Sequence, residues 1–233
     1  MGGTHGTIPV DPVAPISRVA RPRRGRPPGR TARQEEMRRQ TRAAILDAAS
    51  LVFSGTSYLT ATIDDIIRTA KVSRATFYDH FETKLALAIA IYDSIADDWL
   101  QHFERLTDPA IVTQGMLEQW VSALATLYVE HGFVTPLVEQ LAISEPSFRA
   151  RLACDRDALI ERLARQGVPG FRTCARMDQA PPIDRARARL LMLRLDQVCG
   201  MVARGDGMSD EETRAYVGVI AAELRGQFMA ADA

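Results

Sequence analysis

The chain has 233 residues, with 29 Lys+Arg against 29 Asp+Glu, an apolar share of 46% and only 6% aromatics. That length provides enough chain for a real core in one large or two small domains, and the composition excludes a disordered polyelectrolyte and favours helices over β-sandwiches. The zero net charge is two opposite halves: residues 1–42 hold ten arginines and three acids, a net of +7, and the rest carries −7, the pattern of a basic arm for an anionic polymer on an acidic body, or of a solvated tail.

Residues 1–32 are rich in Gly, Pro, Thr and Arg, with six prolines between Pro9 and Pro28, and no period is visible. They are expected to form a disordered basic arm. From about Gln34, Ile45, Ala48, Ala49, Val52 and Phe53 recur at three- and four-residue steps, predicting a helix that ends near Gly55. Thr62 precedes Ile63, Ile66, Ile67 and Ala70 as an N-cap, with Asp64 and Asp65 in the first turn, where the helix dipole favours anions. Lys71-Val72 reads as a tight turn. Ser73 caps a second short helix, Arg74 to about Phe81, and Thr83 a longer one, Lys84 to about Leu106. Five more helices are expected at about 109–130, 133–143, 145–166, 182–204 and 209–229, separated by Pro and Gly signals. The predicted fold is all-α: nine helices, three in a small N-terminal unit over 33–84 and six in a body over 85–233.

Several function classes drop out. The first 30 residues hold no apolar signal core, and the longest apolar run, Leu85–Tyr92, is far shorter than a membrane span. Cys154, Cys174 and Cys199 have neither metal-ligand nor disulfide-framework spacing. No phosphate loop, catalytic constellation or metal set is present. A cytoplasmic protein that is not an enzyme, without cofactor or metal, is therefore expected.

Thr62 to Phe81, two short helices joined by a three-residue turn, has helix-turn-helix architecture. Ile63, Ile66, Ile67, Ala70, Val72, Phe77 and Phe81 can form its core with Ile45, Ala49 and Phe53. That leaves Arg74, Ala75, Thr76, Tyr78, Asp79 and His80 facing outward, most of them able to meet phosphates or base edges. Lys84 opens the next helix, where the dipole disfavours a cation, so a phosphate contact is its simplest explanation.

The segment TIDDIIRTAKVSRATFYDHFETKLAL resembles the DNA-binding domain of TetR-type transcriptional regulators. The motif appears as Ala70-Lys71-Val72-Ser73, then Thr76-Phe77-Tyr78-Asp79-His80-Phe81, then Lys84, and the resemblance covers about residues 38–92. It implies that Thr62, Ser73, Thr76, Tyr78, His80 and Lys84 contact phosphate or groove, and that Arg74 and Ala75 read bases. Two positions depart from the pattern: Lys71 replaces a turn glycine, costing about 1 kcal/mol if the turn is left-handed, and Ile67 replaces a small residue. In the arm, Arg24-Gly25-Arg26-Pro27 is similar to an AT-hook core, slim enough for the minor groove, with diffuse phosphate attraction as the alternative.

For the body, the resemblance implies a homodimer formed by the last two helices, about 182–204 and 209–229, on a palindromic operator of double-stranded DNA. Ile183, Ala186, Leu190, Leu193, Gln197 and Met201 make one stripe, widened by Leu191, Leu195, Val198 and Val202. Tyr216, Val217, Ile220, Leu224 and Phe228 make another. It also implies an effector, a small and mostly apolar ligand, for which Trp99, Phe103, Trp120, Tyr128, Leu137, Leu141 and Phe148 are candidates. An aromatic stripe at helical spacing is more often ordinary core packing than a ligand site. The expected function is a transcriptional regulator, a repressor released from its operator by that ligand; an activator and an effector-independent architectural DNA-binding protein are the alternatives.

Overall fold

The computed structural model describes residues 28–108, 113–205 and 207–230. Arg24 and Arg26 of the arm lie outside the described residues. Among those described there are nine α-helices, two short 3-10 segments and no strand. The helices are α1 (Pro28–Gly55), α2 (Ile63–Ala70), α3 (Arg74–Tyr78), α4 (Lys84–Glu104), α5 (Gln114–Glu130), α6 (Val134–Ser144), α7 (Pro146–Arg165), α8 (Pro182–Arg204) and α9 (Asp210–Ala230). The all-α architecture expected from sequence is the one observed. No single described helix is long and apolar enough to cross a membrane.

The helix starts follow local chemistry. The Thr62, Ser73, Thr83 and Thr113 hydroxyls accept the backbone N–H groups of Asp65, Thr76, Ala86 and Met116, satisfying donors that a helix start leaves unpaired. At α9, Ser209 and Glu212 form a reciprocal capping box, with Ser209 N–H donating to Glu212 Oε2 at 2.8 Å and Glu212 N–H to Ser209 Oγ at 3.2 Å. Proline opens α7 and α8, and Gly205 ends α8 in the left-handed region, with φ 62°. Three boundaries differ from the sequence expectation. Helix α1 starts at Pro28 and so includes residues assigned to the arm; α3 stops at Tyr78; α5 starts at Gln114 under its Thr113 cap.

The chain divides into two units, residues 1–39 and 40–233. In the first, residues 31–39 are helical and exposed. The second holds two apolar clusters. One joins Ile45, Phe53, Ile66, Phe77, Phe81, Leu87 and Ile91 of α1–α4 to Leu137, Leu141 and Phe148 of α6 and α7. The other packs α5 against α8 and α9, with Trp120, Leu124, Tyr128, Leu195, Ile220 and Leu224 inside. Each fully buried side chain of this size contributes about 1.5–3 kcal/mol.

Residues 167–181 are more than punctuation between helices. Their 3-10 segment, Pro169–Cys174, lies against α7, α8 and α9, with Val168, Phe171, Cys174, Met177 and Ala180 all buried. Gly170 permits this approach: a Cβ there would come within 2.8 Å of Phe228. Gln227 Nε2 then donates to the Gly170 carbonyl at 2.9 Å.

Candidate nucleic-acid interface

Helices α2 and α3 are held by Ile66 and Phe77, both at 0% exposure. Phe77 stacks near Phe81, and the Arg42 guanidinium lies 4.7 Å above the Phe81 ring. On this base the outer surface of α3 presents Arg74, Ala75 and Tyr78, all exposed. Arg74 and Tyr78 are one turn apart and share a face. Arg74 forms an ion pair with Asp64 in the first turn of α2. Thr62, Ser73 and Thr76 surround this surface but already serve the fold. Thr62 Oγ1 donates to Asp65 Oδ2 at 2.6 Å, and the Ser73 and Thr76 hydroxyls lie 2.8 Å apart. The Thr62 hydroxyl and N–H, both donating to it, hold the Asp65 carboxyl below the usual carboxylate range. His80 is half-buried in the turn after α3, its N–H on the Phe77 carbonyl at 3.0 Å.

The turn between the two helices places Lys71 at φ 54°, ψ 40°, where its N–H reaches the Ile67 carbonyl. Lys71 is the one non-glycine residue at positive φ among those described. A Cβ in this region is disfavoured by about 1 kcal/mol. Lys71→Gly is therefore expected to stabilise the protein by about that amount, raising Tm by about 2–4 °C. Thermal denaturation checks this; an unchanged or lower Tm contradicts it.

Lys84 has partners that the sequence did not announce. Its Nζ donates to the carbonyls of Tyr58 and Ala61 at 2.7 and 2.8 Å, and it lies 4.4 Å from the Tyr58 ring centre. Tyr58, buried in the loop before Thr62, donates its N–H to Gln140 Oε1 of α6 at 2.6 Å. Burial and the nearby Glu145 push the Tyr58 phenol up to about 12, while burial lowers Lys84. The loop carrying Thr62 is thus pinned between the start of α4 and the last turn of α6. This accounts for a cation at an unfavourable helix position without calling on a phosphate. Neither Tyr58 nor Gln140 carries a sequence signal for this role, because the contact spans 82 positions.

The candidate ligand residues are not gathered in one cavity. Phe103, Trp120 and Tyr128 belong to one apolar cluster, Leu137, Leu141 and Phe148 to the other, and all are buried. Trp99, half-buried, packs against both and lies 5.2 Å from the Tyr128 ring. The Tyr128 hydroxyl donates to Asp196 Oδ1 at 2.7 Å, and Arg156 binds the other carboxylate oxygen at 3.2 Å. His102 is a core residue: its Nε2 faces the Trp120 carbonyl at 3.0 Å, and burial pushes its pKa down to about 4. His131 caps α5 and lies 3.2 Å from Asp98. Cys154 is exposed, whereas burial pushes the Cys199 thiol up to about 12.

At α8 and α9 the expected stripes divide. Leu191, Leu195, Val217, Ile220, Leu224 and Phe228 are buried in the body's own core. Ile183, Leu190, Leu193, Tyr216 and Val219 are exposed, and the Arg194–Glu223 ion pair joins the two helices beside them.

Residues 45–91 match the family model of the tetR family of bacterial regulatory proteins. The A-factor receptor protein of Streptomyces griseus is 46% identical over 54 residues, 23% of this chain and 20% of that protein. The chain thus spans about a fifth of the length of the curated relative it matches. Among solved structures, GusR of Salmonella enterica is similar with a TM-score of 0.61 at 19% identity, over 82% of this chain and 96% of that one. The fatty acid degradation regulator FadR of Bacillus halodurans gives 0.59 at 19%, over 80% and 95%. A TetR-like regulator from Rhodococcus gives 0.56 at 19%, over 79% and 93%. At such identities the structural likeness shows the fold.

Proposed function

We propose that the chain, whose residues 45–91 match the family model of the tetR family of bacterial regulatory proteins, is a cytoplasmic, sequence-specific repressor that binds a palindromic operator as a homodimer. The observation that carries this reading is the outer surface of α3, where Arg74, Ala75 and Tyr78 stand exposed on a buried Phe77 base. A short helix so presented suits the major groove, with Thr62, Ser73, Thr76 and His80 flanking it toward phosphates. The basic arm adds sequence-independent affinity, with Arg24 and Arg26 toward the minor groove. Dimerisation uses Ile183, Leu190, Leu193, Tyr216 and Val219, apolar side chains that a lone protomer leaves in water. The activity is binding rather than catalysis.

A small, mostly apolar effector would be accommodated at Trp99, the side chain shared by both cores, by parting Phe103, Trp120 and Tyr128 from Leu141 and Phe148. Ligand and operator would then compete for two arrangements of one body. The test is a gel-shift on the DNA upstream of the chain's own gene. Arg74→Ala and Tyr78→Ala should each weaken binding by more than about tenfold, and removing residues 1–32 should flatten the salt dependence. Equal binding by wild type and both variants overturns the interface, and uniform coating of any duplex favours an architectural protein.

A further inference from the structure

The ion pair between Arg74 and Asp64 joins the first turn of α3 to the first turn of α2 across the inter-helix turn. Both side chains are open to solvent, at 61% and 60% exposure. An exposed pair of this kind adds little to stability. Asp64 is not needed for the helix cap either, since Asp65 accepts the Thr62 N–H at 3.1 Å and its hydroxyl at 2.6 Å. The α2 dipole favours an anion in this turn, but a carboxylate beside the base-reading surface also repels a polyanion, and the dipole does not account for its pairing with Arg74.

Resting on the DNA-binding reading above, we propose that Asp64 is a specificity-determining residue that orients the Arg74 guanidinium for one guanine. A free arginine on this surface would sample phosphates in many geometries. Anchored through one terminal nitrogen, the fork samples fewer orientations and its remaining N–H donors stay available. Two parallel donors match the O6 and N7 acceptors of guanine in the major groove. Ala75, exposed next to Arg74, leaves room for a base edge to approach. The same carboxylate lowers affinity for DNA of any sequence, which sharpens discrimination from the opposite side.

The test selects a randomised duplex library with the full-length wild type, Asp64→Asn, Arg74→Ala and the double variant. Glu82→Gln, which removes the same charge from the exposed turn before α4, is the control. Asp64→Asn should enrich the wild-type site with its preference for guanine at one position in each half-site reduced about tenfold, while binding to unrelated duplex rises. The double variant should discriminate there no worse than Arg74→Ala alone, and Glu82→Gln should keep the wild-type preference. If Asp64→Asn reads every position as sharply as wild type, or if Glu82→Gln loses the same preference, the inference is overturned while the regulator reading stands. A wild type that enriches no sequence overturns both.

Discussion

Lys84→Met should lower the stability of the protein by about 1.5–3 kcal/mol, the range for losing hydrogen bonds to a charged donor, and its Tm by several degrees. Methionine keeps most of the apolar stem but removes the donors that hold the Tyr58 and Ala61 carbonyls. Tyr58 is 5% exposed, so water replaces the lost partner poorly and the carbonyl is left without one. Release of this loop also loosens Thr62, whose hydroxyl and N–H start α2. DNA affinity should therefore fall together with Tm. A phosphate-binding lysine would behave differently: its loss would leave Tm unchanged and reduce the salt slope of DNA binding by about one. Measuring both quantities on one variant separates the roles, and an unchanged Tm refutes the one assigned here.

On the α8–α9 interface proposed above, paired substitution of Leu190 and Leu193 by Asp should leave the protein monomeric and abolish its DNA binding. The two leucines are 54% and 45% exposed on one stripe of α8. In a twofold interface each occurs twice, and burying the half of each that is still exposed contributes about 0.8–1.5 kcal/mol. Removing four such side chains weakens association by about 10²–10⁴-fold, before any repulsion between the new carboxylates. Because both positions face outward, the fold of the protomer should persist, with its helix content and Tm nearly unchanged. Light scattering reads the assembly and circular dichroism the fold. A double variant that remains dimeric would move the interface elsewhere.

The sequence by itself determined the elements whose causes are local. Thr62, Ser73 and Thr83 lie one step before apolar periodic runs, and each caps the helix it was expected to start, because a cap hydroxyl needs only a backbone N–H three residues on. The tight turn at Lys71-Val72 was legible too; that Lys71 sits in the left-handed region there was only a condition in the sequence, and the structure shows it. The core residues Ile66 and Phe77 followed from period alone.

Tertiary structure decided everything that depends on which surfaces meet. Periodicity showed that α8 has a wide apolar face, but not that Leu191 and Leu195 turn inward while Leu190 and Leu193 stay in water. That choice is made by where α5 and α9 lie. The Gly-, Pro- and Arg-bearing segment 167–181 carries no helical period, yet it buries Phe171 completely. It does so because Gly170 lets α9 approach. Lys84 met the Tyr58 and Ala61 carbonyls, and Arg74 met Asp64, through contacts that no spacing rule encodes. A long charged side chain reaches several ångströms in any direction, and only the packed neighbours determine which partner it finds.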